Sequence, residues 1–318
     1  MNIMASEIKS KKDTHILVVD DEPEIRELIS DFLVDCEGYT VYRAESGPCA
    51  LQKVLPENHV DLILSDINMP VMKGFELLKE VRERYPVIKR ILITAYNVED
   101  YLELAMKHDI GNIFVKTTPF NFQELSRVLD NLLGGDIFGI RKYFDEPNTT
   151  LKTTIVRHGN NLEADAAVII SHLPPVEKTN RLELVLIELL ANAIFYGIRK
   201  ESAEKKENWT YDFELAESEA IVVNSMFDKE KFAISISDKG GRLNKHDVLY
   251  WLHRQLKTDD AGVPLGLYDS HGRGLYIARQ YIDRMIVNID KNKQTEIIIM
   301  NYLSDKYFGY KPLYINEL

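Results

Sequence analysis

Apolar and polar positions along this chain change period several times, and the changes mark its elements. Short apolar runs at His15–Asp20 (HILVVD), Tyr39–Arg43, Val60–Asp66 (VDLILSD), Ile88–Ala95 and Asn112–Lys116 predict five strands. Three of them are almost wholly apolar, as expected of parallel strands covered on both faces. Between them, Glu22–Asp35, Gly47–Leu55, Phe75–Arg84, Val98–Lys107 and Phe122–Leu132 carry the helical spacing of apolar residues. Five strands alternating with five helices predict a doubly wound parallel sheet, with its chemistry at the carboxyl ends of the strands.

Beyond residue 133 the pattern differs. Gly134-Gly135 stops the preceding helix. An aromatic connector follows, in which Phe138, Tyr143 and Phe144 stand at near-helical spacing and are expected to pack against one or both domains, the alternative being a signalling hinge. Thr153–Arg157 predicts a strand, Leu162–His172 a helix and Arg181–Lys200 a longer helix. Ala220–Met226 and Lys231–Asp238 predict a strand pair, Leu275–Ile286 a helix and Thr295–Met300 a last strand. The stretch containing Trp251, Thr258–Gly262 and Gly266 reads as an irregular lid. The resulting division is a first domain over 13–133, a linker over 134–150, a second domain over 151–303 and a tail over 304–318.

Composition narrows the class. The chain has 318 residues, 45% hydrophobic and 28% charged, which suits two soluble globular domains. A net charge of −11 argues against a nucleic-acid partner, which needs a clustered basic face; Lys9–Lys12 reads as a solvated tail. No apolar run approaches the ~20 residues of a membrane helix, and the polar N-terminus lacks a secretory signal, so no membrane partner and a cytoplasmic location are expected. Two cysteines, Cys36 and Cys49, read as buried thiols of a reducing compartment.

The candidate chemistry lies at strand ends. Asp20 and Asp21 close the first strand, Asp66 the third, Thr94 the fourth and Lys116 the fifth. Carboxylates gathered at neighbouring strand ends repel one another unless a cation sits among them, and Mg²⁺ suits such an all-oxygen site. The motifs VVDDE, SDINMPVMKGFELL, ITAY and FVK, in this order and spacing, resemble the receiver domain of response regulators, a flavodoxin-like (βα)5 fold. The resemblance implies that Asp66 accepts a phosphoryl group from a cognate histidine kinase. It further implies that Asp20, Asp21 and Asp66 hold Mg²⁺ with the Asn68 carbonyl, that Lys116 pairs with the phosphate and that Thr94 hydrogen-bonds it. The family places proline directly after the lysine; here Thr117 and Thr118 intervene before Pro119, and loss of the usual cis-proline turn is expected. The family's aromatic switch position is occupied by Ile113, beside Phe114.

In the second domain, Glu188 and Asn192 stand four apart and share one helix face. Asp238-Lys239-Gly240-Gly241 closes a strand, and Gly272-Arg273-Gly274 opens a helix, where exposed amides and the helix dipole favour an anion. The order E-x-x-x-N-A, D-x-G, GxGL, T-x-I-I-I resembles the α/β-sandwich ATP-binding (Bergerat-type) fold of gyrase, histidine kinases and anti-sigma-factor serine kinases, and E-L-L-A-N-A-I-F-Y-G is closest to the last. The resemblance implies ATP as a cofactor. Asn192 would coordinate Mg²⁺, and Asp238 would read the adenine amino group in a pocket shaped by Gly240. Gly272, Arg273 and Gly274 would take the phosphates, Thr295 would support Asp238, and Glu188 would act as general base or water-positioning group. Arg242 replaces the family's second glycine, and Ser270 replaces its phosphate-side arginine.

Three outputs follow from these resemblances. The first is a phosphorylation-gated serine/threonine protein kinase and partner switch acting on an anti-sigma-antagonist-like protein. The second is a non-catalytic ATP-binding module that sequesters a sigma-factor-like partner. The third, a histidine kinase, would need a helical hairpin with a phosphorylatable histidine, and neither His158 nor His172 stands in such a motif. Related ATPase domains often dimerise, so a homodimer is a further partner state.

Overall fold

In the computed structural model the described residues are 10–145, 149–175, 179–199, 213–258, 265, 273–303 and 309–318. The chain divides into two compact units, Met1–Tyr96 with Asn112–Ile137, and Asn97–Gly111 with Phe138–Leu318.

Strands β1 (His15–Val19), β2 (Thr40–Ala44), β3 (Leu62–Asp66), β4 (Lys89–Thr94) and β5 (Asn112–Val115) form a parallel array in the order β2-β1-β3-β4-β5. Helices α1 (Pro23–Asp31), α2 (Gly47–Cys49), α3 (Gly74–Arg84), α4 (Leu102–His108) and α5 (Phe122–Gly134) lie between and after them. Helices α1 and α2 continue as π turns through Phe32–Cys36 and Ala50–Val54. Every residue of β3 and β5 is buried, and so are four of the five in β1. This agrees with the apolar runs in the sequence.

Two expectations about this half change. Cys36 is exposed and Cys49 only half-buried, each on a helical turn; they are free thiols but not core ones. The Thr118–Pro119 peptide is cis, so the two extra residues move the proline turn without abolishing it.

The second unit contains β6 (Lys152–Val156), β7 (Ile221–Phe227), β8 (Lys231–Asp238), β9 (Arg284–Asp290), β10 (Gln294–Tyr302) and β11 (Leu313–Glu317). They run in the order β11-β9-β10-β8-β7-β6, antiparallel except for the β11–β9 pair. Helices α6 (Leu162–Ser171), α7 (Thr179–Asn192), α8 (Lys245–Arg254) and α9 (Gly274–Tyr281) accompany them, and α7 runs on as a π turn through Ala193–Ile198. The connector is built into this unit: Ile140, Tyr143 and Phe144 are buried, and Gly139 N donates to Glu296 Oε2 at 2.9 Å. Burial holds the Glu296 carboxyl above its usual range, although this bond and one from Asn288 pull it down.

Segment 97–111, which contains α4, belongs to the second unit. There Lys245 Nζ pairs with Asp109 at 2.8 Å, Arg279 Nε lies 3.7 Å from Glu99, and Ile315 N donates to Gly111 O at 2.9 Å.

Three stretches depart from the sequence reading. The span Leu275–Ile286, expected as one helix, is α9 followed by β9; a short apolar run suits either period, and pairing with β10 settles it. The irregular lid holds a regular helix, α8, whose Asn244 side chain caps Asp247 N at 2.9 Å; Asp259–Gly262 and Gly266 lie outside the described residues. The tail ends in β11, whose four buried residues face a neighbour that only folding supplies.

Candidate functional site

The carboxyl ends of β1, β3 and β4 and the residue after β5 bring the first set of polar side chains together. Asp20 and Asp66 are 1% and 8% exposed, so both carboxylates have left bulk water. A single ammonium answers them: Lys116 Nζ lies 2.6 Å from Asp66 Oδ1, 2.8 Å from Asp20 Oδ2 and 3.8 Å from Glu22. Burial raises the Asp20 pKa and the charge of Asp66 adds to it, while Lys116 opposes both. Burial by itself would lower the Lys116 pKa; the attraction of Asp66 and Asp20 outweighs it, and the net shift is upward. Asn68 N donates to Asp66 Oδ2, and Glu22 N to Asp20 Oδ1 at 3.0 Å. Asp21 is half-buried beside them. Thr94 is buried at the end of β4, its Oγ1 accepting from Tyr96 N at 3.0 Å and its carbonyl from Lys116 N at 2.7 Å.

Two buried carboxylates and a third next to them face one ammonium. Such a donor set retains negative charge and all-oxygen character, and it fits a hard divalent cation.

A second site lies on one face of β8 and β10. A cavity of about 260 Å³ is lined by Leu189, Asn192, Tyr196, Asp238, Trp251 and Thr295 among others. Asp238 and Thr295 are direct cross-strand partners, which places both polar groups on one wall. Burial pushes the Asp238 carboxyl up to about 6, against the backbone amides of Gly240 and Gly241, which hold it down. The Thr295 Oγ1 is buried and has no hydrogen-bond partner among the described residues. An orphaned hydroxyl beside a buried carboxyl on a cavity wall is costly unless a polar ligand completes it.

Glycines let these parts approach. A Cβ on Gly240 would stand 1.9 Å from the carbonyl oxygen of Gly197. One on Gly274, the first residue of α9, would stand 2.6 Å from Asn192 Nδ2 and 3.1 Å from Glu188 Oε2. The Glu188–Asn192 face of α7 therefore meets the start of α9. Arg273 is exposed at the α9 N-cap, while Gly272 and Ser270 lie outside the described residues.

The sequence reading missed Asp247 and Trp251, which line the cavity from α8. The pattern Asn244-x-x-Asp247, followed by Val248, Leu249 and Leu252, carried the helix signal. The two histidines of the phosphohistidine reading play local parts: His158 is exposed and bridges to Glu214, and His172 Nδ1 lies 3.4 Å from Ser225 Oγ. Among the described residues no helix is long and apolar enough to cross a membrane.

Comparison with known proteins bears on the first site. The response regulator receiver domain family matches residues 16–130. The chain is 33% identical over 121 residues to the chemotaxis protein CheY homolog of Campylobacter jejuni, covering 37% of this chain and 92% of that protein. It is 30% identical over 117 residues to the transcriptional regulatory protein MalR of Bacillus subtilis, covering 37% of this chain and only 49% of that protein's length. Among solved structures, the response regulator TrrA of Thermotoga maritima, in complex with Mg²⁺-BeF, is 38% identical over 37% of this chain and 97% of its own, with a TM-score of 0.33. With its five parallel strands and the Asp20–Asp66–Lys116 cluster at their ends, the chain belongs to the response regulator receiver family.

Proposed function

We propose that Asp66 accepts a phosphoryl group from a cognate histidine kinase, and that this event controls an ATP-binding output formed by residues 151–303. The observation that carries the first half is the buried Asp20–Asp66–Lys116 cluster. An Asp66 carboxylate oxygen attacks phosphorus, the P–N bond of the donor's phosphohistidine breaks, and the released imidazole takes up a proton. Lys116 already lies within reach of Asp66 and pairs with the incoming phosphate, while the Thr94 hydroxyl turns from Tyr96 N to a phosphate oxygen. Mg²⁺ held by Asp20, Asp21, Asp66 and the Asn68 carbonyl would offset charge on the phosphoryl oxygens.

For the output, the Asp238–Thr295 pair beside the cavity supports adenine recognition: the carboxylate accepts from the exocyclic amino group and the free hydroxyl joins it. Asn192 would hold Mg²⁺ beside the nucleotide, and Gly274 with Arg273 would face its phosphates at the α9 N-terminus. Glu188, packed near Gly274, would orient an attacking hydroxyl. On this reading ATP supplies the phosphoryl group that a serine or threonine of an anti-sigma-antagonist-like partner receives. Control runs through segment 97–111, which lies in sequence between Thr94 and Lys116 and packs within the second unit. A phosphate charge at Asp66 biases such an element between two arrangements.

A second reading is favoured by Arg242, which lines the cavity where the kinases carry glycine. Here the domain binds nucleotide without transferring phosphate and sequesters a sigma-factor-like partner. Calorimetric titration with ATP and Mg²⁺ tests the pocket, with Asn192→Ala and Asp238→Ala each expected to weaken binding roughly 10-fold or more. Unchanged affinity in both variants overturns the assignment. Radiolabelled ATP then separates the readings: label on a partner serine or threonine supports the kinase, and binding without transfer supports sequestration.

A further inference from the structure

The opposite rim of the receiver sheet holds a second cluster of metal-ligating side chains. His15 opens β1, and His59 and Asp61 immediately precede β3; the two strands are adjacent and parallel, so their amino ends meet. One ligand atom from each of the three residues lies within 4.8 Å of the other two. His59 Nε2 is 3.0 Å from Asp61 Oδ1, and His15 Nδ1 is 3.6 Å from Asp61 Oδ2. With metal–ligand bonds of about 2.0–2.2 Å, a tetrahedral ion holds its ligands roughly 3.3 Å apart; the two separations, one to each oxygen of the carboxylate, each lie within about 0.3 Å of that value.

The cluster is held in place by its surroundings. His15 N donates to Asp61 Oδ2 and Asp61 N donates to His15 O, both at 2.8 Å, so strand pairing fixes the carboxylate beside the first imidazole. Tyr42 stacks on the His15 ring with centroids 5.8 Å apart and 8° between the planes. The Nδ1 of His15 is buried and finds no hydrogen-bond partner among the described residues. The buried His15 nitrogen is aimed at the Asp61 carboxylate, and His59 hydrogen-bonds the same carboxylate while its ring packs edge-on to that of His15, centroids 5.6 Å apart.

We infer that His15, His59 and Asp61 form a Zn²⁺ site, independent of the phosphorylation site. Two imidazoles and one carboxylate are the donor set of a borderline ion, whereas the all-oxygen cluster at the other rim suits Mg²⁺. The two are separated by the length of β1, about 16 Å at 3.3 Å per residue. His59 is exposed, which leaves a route for entry and room for water on the remaining coordination position.

The test uses the full chain in millimolar Mg²⁺, which keeps the carboxylate cluster occupied. Titration with Zn²⁺ is expected to show one tight equivalent, and Co²⁺ the visible bands of a four-coordinate site. His59→Ala should weaken Zn²⁺ binding roughly 10-fold or more, as should His15→Phe, which retains a ring against Tyr42. Asp66→Asn should leave it unchanged. Melting followed by circular dichroism checks that the variants fold. Zn²⁺ binding that survives in both histidine variants, that disappears with Asp66→Asn, or that is absent from the native chain overturns the inference.

Discussion

At the scale of single residues, buried charge decides most of the behaviour. Asp238 carries a pKa of about 6, pushed up by burial, against an ordinary carboxylate value of 3.8. A carboxyl whose folded pKa lies above its unfolded one opposes folding when ionised. The penalty is present above about pH 6, shrinks as the pH falls, and is gone below the unfolded value. It is of order 2–3 kcal/mol at neutral pH. Asp238→Asn should therefore melt higher than the native chain at pH 8 and, on the proposed function, bind ATP more weakly, as read by scanning calorimetry and titration. If the ionised form reads adenine, nucleotide affinity of the native chain should also fall as the pH drops through about 6.

Val71 offers a residue-scale change of the opposite kind. It is 94% exposed with φ of 67°, a left-handed conformation that costs a β-branched residue about 1–2 kcal/mol. Asn tolerates that conformation, and a side chain standing in solvent gives up no core packing when it is replaced. Val71→Asn should therefore raise stability by about 1 kcal/mol in urea unfolding.

Among the elements, the close approaches between helices and turns set the tolerances. The α7 face and the start of α9 approach so closely that Gly274 has no room for a side chain. The Gly240 turn similarly rests on the Gly197 carbonyl at the end of α7's π turn. Gly240→Ala sets side chain against backbone and should cost about 3 kcal/mol, the upper end for overpacking, measured as a fall in the denaturant midpoint. Helix α4 is bound to its unit by an ion pair, since Lys245 serves both Asp109 and, at 3.9 Å, Glu317. Lys245→Glu would set three carboxylates together and should destabilise the second unit by roughly 1–2 kcal/mol, somewhat above the usual worth of an ion pair.

For the whole molecule, two compact units imply two ligand-linked stabilities. A ligand that binds only the folded form stabilises it by about 2.7 kcal/mol at a hundredfold excess over its Kd. On the proposed function, Mg²⁺ alone should raise one thermal transition and ATP with Mg²⁺ the other. Calorimetry in which both ligands move a single transition equally would contradict two independently unfolding units. The net charge of −11 belongs to this scale too, favouring basic over acidic partner surfaces.

The receiver half was legible in the amino-acid string because its strands are buried on both faces and its reactive groups sit at strand ends. Apolar runs such as Leu62–Asp66 and the positions of Asp20, Asp66, Thr94 and Lys116 needed no knowledge of neighbours. In the second half the sequence singles out Asn192 and Asp238, which line one cavity, and Gly240 and Gly274, which stand at close approaches, but its elements were less legible. Whether Ile282–Ile289 extends a helix or starts a strand depends on β10 offering a partner. Leu313–Glu317 is a tail until β9 pairs with it, and Trp251 joins a cavity only once α8 packs. The assignment of 97–111 to the second unit was beyond any local pattern, because ion pairs such as Lys245–Asp109 join residues more than a hundred positions apart. Periodicity reports the environment a segment requires; which segment provides it is decided by long-range packing.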